Sequence, residues 1–153
     1  MVILDYLLDP EDLQRASELD MAIISGTQLD YYLFCGSIIF RVNSTSFDAL
    51  WKWIPVFDFA IKINEIVSRL VDEEERMLEF TECEATISFA RLGADVRITA
   101  TYTPSIASVP LEELRMATAH FLQKIKNDLL CRFPALSRNV AFRERLALVG
   151  ISV

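Results

Sequence analysis

The sequence holds one histidine, four glycines, and three cysteines with no Cys-x-x-Cys spacing among its 153 residues. Each scarcity removes a class of chemistry. His120 stands alone, so no zinc site can be assembled from paired His and Cys ligands. Cys131 lies eleven residues beyond it, on the same expected helix and too far along the axis to touch it as a Cys–His pair. Cys83 sits between Glu82 and Glu84, whose charges disfavour its thiolate. The glycines fall at Gly26, Gly36, Gly93 and Gly150 and form neither Gly-x-x-x-x-Gly-Lys nor Gly-x-Gly-x-x-Gly. These absences argue for a non-enzymatic chain with no cofactor and no metal.

Other absences bear on location. Cys35, Cys83 and Cys131 are an odd set without a disulfide framework, which predicts reduced thiols and a cytoplasmic protein. The longest apolar run, Tyr31 to Phe40, is ten residues and is fenced by Asp30 and Arg41. A helix needs about 20 such residues to cross a bilayer, so no membrane association is expected. Met1-Val2-Ile3-Leu4-Asp5 has no basic segment ahead of its apolar residues and does not read as a signal peptide.

Apolar residues are plentiful. They make up 52% of the chain, aromatics make up 10%, and mean hydropathy is +0.29. A single domain over residues 1–153 is expected, with a folded surface of roughly 7,900 Å² by area scaling. Hydropathy this high implies a helix buried on most sides, or apolar surface covered by a partner; a homo-oligomer is one such arrangement.

The net charge of −7 is unevenly spread. Residues 1–35 carry seven acids and one Arg, and residues 71–95 carry eight acids and two Arg, so each block stands at −6. Residues 96–153 stand at +4. Two acidic blocks repel nucleic acid and favour a basic protein partner, because opposite fields steer encounter. Glu73, Glu74, Glu75, Glu79, Glu82 and Glu84 are the candidate partner-binding residues. The plain alternative is an acidic sheet edge kept soluble by its charge.

The local pattern runs helix, two strands, helix, three strands, helix, helix. Asp9-Pro10-Glu11-Asp12 opens a short helix over 9–19. Met21 to Ser25 is one candidate strand and the second lies within Tyr31 to Val42, with Gly26-Thr27-Gln28 as the turn between them. Gly36 inside the second marks a bulge or a close backbone approach. Thr45, with Asp48 three residues later, reads as the start of a helix over Ser46–Val71, kinked or broken at Pro55. Asp58, Lys62, Glu65 and Arg69 form its wet stripe. Opposite lie Trp53, Val56, Ala60, Ile63, Val67 and Leu70. Trp51 and Trp53 read as core, with a ligand pocket beside them as the alternative.

Strands are expected over Met77–Glu82, Glu84–Arg91 and Asp95–Thr103, the last two joined as a hairpin by Leu92-Gly93-Ala94. Pro104 to Val109 reads as a loop. Pro110 opens a long helix ending at Pro134, and Asn139 caps a last short one. The fold class is therefore α+β: an antiparallel sheet of about five strands, two long helices on one face, and short helices near both termini.

Three stretches carry a resemblance. Phe47-Asp48-Ala49-Leu50-Trp51 opening a helix, the strands around Leu92-Gly93-Ala94-Asp95, and Val109-Pro110-Leu111-Glu112-Glu113-Leu114 opening the next helix resemble small bacterial α+β proteins of the toxin-immunity type. The resemblance covers residues 46–132, and its motifs are structural, so no functional residue is carried over. It implies a protein-binding module that neutralises a toxin by masking a basic surface. The alternative is a small-ligand-binding or enzymatic α+β domain with a pocket between the sheet and the Trp-bearing helix.

Overall fold

Pro55 does not kink a long helix; it is the last residue of a strand and the cap of the helix that follows. A computed structural model describes all of residues 1–153. In it the segment expected to be one helix over 46–71 divides into β3 (Thr45–Ser46), β4 (Ala49–Pro55) and α2 (Val56–Arg69). The reason lies in Asp48. Its carboxylate does not cap a helix but accepts the backbone N–H of Phe40 at 2.9 Å and pairs with Arg41 at 2.7 Å, holding this stretch against the preceding strand. Pro55 has no N–H to give to a helix, and its fixed φ of −65° suits the position just before one.

The strands form two four-stranded antiparallel sheets rather than one sheet of about five. The first contains β1 (Val2–Leu8), β2 (Cys35–Val42), β3 and β4, with β1 paired to β2 in unbroken register from Val2↔Val42 to Leu8↔Gly36. β1 has no counterpart in the sequence reading. Val2, Leu4, Tyr6 and Leu8 face the core, while Ile3 and Leu7 point outward. The second sheet is a meander of β5 (Glu75–Glu79), β6 (Thr86–Leu92), β7 (Asp95–Ala100) and β8 (Thr103–Pro110). Gly93, at φ +66°, makes the tight turn between β6 and β7, as expected from its freedom to adopt positive φ. The stretch 104–109, expected as a loop, pairs with β7 through most of β8. Ala107 and Val109 are buried there and alternate with exposed residues, so the period is that of a strand.

α2 and α3 (Leu111–Arg132) pack against each other, and each touches both sheets: α2 meets β2, β4 and β5, and α3 meets β1 and β8. α2 buries Val56, Phe57, Phe59, Ala60, Ile61, Ile63, Ile66 and Val67. Its wet stripe carries Asp58–Lys62 and Glu65–Arg69 ion pairs at 2.8 and 2.7 Å. α3 buries Leu114, Thr118, Phe121, Leu122, Ile125 and Leu129. Trp53 belongs to neither face: it stands on β4 and is exposed. The 37 buried apolar residues form one cluster, and the accessible surface is 8011 Å², close to the value that chain length predicts. No helix is long and apolar enough to cross a membrane.

The stretch Met21–Ser25, expected as a strand, is a turn that follows α1 (Pro10–Ser17). Its carbonyls find a side chain instead of a neighbouring strand. Asn139 is buried and donates to Met21 O at 3.0 Å and Ile24 O at 2.9 Å. Its Oδ1 accepts from Phe142 N at 2.8 Å, capping α4 (Val140–Leu148). One amide thus satisfies three backbone groups from two distant segments. Asn139→Ala is expected to cost about 3 kcal/mol, since buried carbonyls and an N-cap all lose their partner. Asn139→Asp keeps the cap and loses both donors, so it should recover only the cap's share. Urea unfolding of both variants checks this. A loss below about 1 kcal/mol for the alanine variant would mean that the turn is held by other contacts.

Candidate interaction surface

The second sheet is covered on one face only. Leu78, Ile87, Phe89, Val96, Ile98, Ala107 and Val109 turn inward and are buried. On the other face, β5 presents Glu75, Met77 and Glu79, and the register continues it through Ser88, Thr99 and Ile106. Met77 is 52% exposed and Ile106 55% exposed; they stand on the two edge strands of this face, with Ser88 and Thr99 between them. β5 is also the free edge of its sheet.

The six candidate acids do not form one tight cluster. Glu73 and Glu74 precede β5, and Glu73 pairs with Arg76 at 3.0 Å. Glu75 and Glu79 stand on the outward face of β5, either side of Met77. Glu82 and Glu84 project from the turn between β5 and β6, which Phe80 N closes by donating to Ala85 O at 3.2 Å. All but the half-buried Glu73 are exposed. They therefore line the free edge of the sheet as a strip about 20 Å long, given the rise per residue of a strand.

Charges from both acidic blocks of the sequence reach Cys35. Burial pushes the Cys35 thiol up to about 12, and the negative charges of Asp12, Glu82 and Asp9 add to that, against Arg15. Asp12 is itself buried beneath this region. It accepts Cys35 N at 3.0 Å and Arg15 at 3.1 Å, yet burial raises its pKa above the usual carboxylate value. Cys35, Cys83 and Cys131 are all free.

Aromatic residues gather beside the end of β5. Register places four residues of β4, Leu50 to Trp53, opposite Ser37 alone, so the strand bulges outward there. Lys52 takes φ +69° at the bulge, and its N–H donates to Ser37 Oγ at 3.2 Å. Trp51 and Trp53 stack with ring centres 5.3 Å apart. Behind them, Trp51 meets Phe80 and Tyr102 edge-on at 5.1 and 5.0 Å, and the Tyr102 hydroxyl donates to Phe47 O at 2.7 Å. The pair is thus braced from beneath. Between β4, α2 and β5, the space lined by Ile54, Pro55, Phe59, Leu78 and Phe80 is about 10 Å³. That is no more than one water molecule's worth of room.

Sequence reasoning missed the outward placement of Trp53. The period-two pattern of Trp51-Lys52-Trp53 ahead of Pro55 is the signal that could have found it. It also missed Tyr31 and Tyr32, which close a π turn over Gln28–Tyr32.

A further polar group ties β1 to α3. The Tyr6 hydroxyl donates to Asp128, and burial, then that carboxylate, hold its pKa well above the usual tyrosine value. Lys124 pairs with Asp5 at 2.6 Å and lies 5.3 Å from the Tyr6 ring centre. Every polar group in the cluster is used within the fold.

No known family, curated protein or solved structure matches this chain.

Proposed function

We propose that the chain is a non-enzymatic protein-binding module of the cytoplasm. Its partner is a basic protein, as a toxin neutralised by an immunity protein would be. The observation that carries this reading is the uncovered face of the second sheet, where Glu75 and Glu79 flank the exposed Met77 and further acids extend from both ends of β5. An uncovered sheet edge that sets an exposed methionine between two acids offers a protein partner apolar contact beside charge. Its like charges repel in the free chain, and a basic partner would relieve that repulsion.

Reversing Glu75, Glu79, Glu82 and Glu84 together to Lys is expected to weaken partner recovery by at least about tenfold, while the melting temperature stays close to that of the wild type. Recovery by the wild type should also fall steeply as salt rises, because screening acts over about 8–10 Å. The measurement is a pull-down from the native host with both proteins, quantified by mass spectrometry. Equal recovery of the same partner by both would leave the acidic strip as a device for solubility and edge protection.

A further inference from the structure

Only three aromatic side chains of the chain are exposed, and they come from neighbouring elements. Tyr31 and Tyr32 are 42% and 62% exposed and end the π turn, Trp53 is 39% exposed on β4, and the π turn packs against β4. Leu50, 58% exposed, stands on the same bulge. Phe34 N–Cα takes φ +56° where the chain leaves the π turn, and Phe34 O accepts the N–H of Val56 just beyond β4. Two of the three non-glycine residues at positive φ, Phe34 and Lys52, therefore flank this patch. Aromatics held outward on a braced base lose little freedom on contact, which is why Trp and Tyr dominate interface hot spots.

Charge decides what such a patch receives. Asp9 N donates to Cys35 O at 2.9 Å, and Cys35 Sγ lies 4.0 Å from Tyr31 O. Cys35 pairs in register with Pro55, two residues beyond Trp53, while Phe80, two residues before Glu82, meets Trp51 at 5.1 Å. Of the nearby cations, Arg15 is paired to Asp12 and Arg145 to Asp30, leaving Lys52 at the tip of the bulge. A planar cation suits both parts of this surface. A guanidinium stacks on an indole or phenol face and pairs with a carboxylate in the same pose, whereas an ammonium does so less well.

We infer that Tyr31, Tyr32, Leu50 and Trp53, rimmed by Glu82 and Asp9, form the energetic centre of the partner interface and receive an arginine-bearing segment of a protein partner. This rests on the reading of a basic partner and moves its centre from the middle of β5 to the bulge.

Trp51 and Trp53 are the only tryptophans, so intrinsic fluorescence reads this patch directly. The probes are a short peptide alternating arginine with glycine and its lysine counterpart of equal length and charge, titrated at low salt. The arginine peptide is expected to change the emission saturably and to bind several-fold more tightly than the lysine peptide. Trp53→Leu and Tyr32→Ala should each weaken the arginine peptide by about fivefold or more and erase most of its advantage. Lys52→Glu should tighten both peptides. Tyr32→Ala removes a largely exposed side chain, so it keeps the test valid if Trp53→Leu fails to fold.

Equal affinity for the two peptides, unaffected by Trp53→Leu and Tyr32→Ala, would overturn the inference and leave the acidic-face reading standing. No saturable change with either peptide would also overturn it, whatever the pull-down shows. An arginine preference found while a chain reversed only at Glu75 and Glu79 still recovers the partner as well as the wild type would support the patch and count against the β5 strip.

Discussion

Val67→Asp is expected to lower stability by about 4 kcal/mol and the melting temperature by about 10 °C or more. Val67 lies on α2 with no exposed surface, one turn beyond Ile63 and three residues before the fully buried Leu70. The charged groups of α2 cannot help it. Asp58 is paired to Lys62 and Glu65 to Arg69 on the opposite side of the helix. A carboxylate at position 67 must be buried alone or draw water into the core, and each course is costly. Glu65→Ala provides the contrast. It deletes one exposed i,i+4 pair, and such pairs contribute less than about 1 kcal/mol. Thermal melts of the two variants measured together separate the faces of α2. Comparable losses would mean that the buried side has been misassigned.

Gly36→Ala should be nearly as damaging for a different reason. A Cβ built on Gly36 would lie 2.0 Å from Leu7 O and 2.9 Å from Leu8 Cα, both backbone atoms of the paired strand. No rotamer change relieves a collision with backbone, so β1 and β2 must separate at the end where Asp9 N bonds Cys35 O at 2.9 Å. The expected loss is about 3 kcal/mol or more, at the upper end of what overpacking costs. Gly93→Ala is the control: nothing lies within 4 Å of its Cβ, and only its φ of +66° is unfavourable, at about 1–2 kcal/mol. Denaturant unfolding checks the order of the two. If Gly93→Ala proves the worse, the close approach of β1 to β2 is softer than its geometry implies.

Some of this architecture can be read from the residues and some cannot. α3 was legible because Pro110, two acids in the first turn and Pro134 punctuate both its ends. The β6–β7 hairpin was legible because Gly93 supplies the one conformation its turn needs. β3 and β4 were not, because Thr45 and Asp48 imitate a helix cap while Asp48 is spent on Phe40 N and Arg41. The turn at Met21–Ser25 was hidden for a related reason: its stabilising partner, Asn139, lies more than a hundred residues away. At the surface, the six acids were legible as a charge block. The bend that places Glu82 and Glu84 on the turn between β5 and β6 was not. Tyr31 and Tyr32 read as part of an apolar run, since no local pattern marks a π turn shaped by the strand it packs on.

The order of elements along the chain has a consequence during synthesis. All eight strands precede residue 111, yet α3, which covers the inner side of β1 and packs on α2, follows them. The ties between Asp30 and Arg145, and between Asn139 and the turn at Met21, close later still. At about 5–20 residues per second, a ribosome spends several seconds adding residues 111–145 after the last strand is made. Through that interval the nascent chain carries two sheets with apolar faces still waiting for a cover. It is in those seconds, rather than in the finished molecule, that a holding chaperone has most to act on.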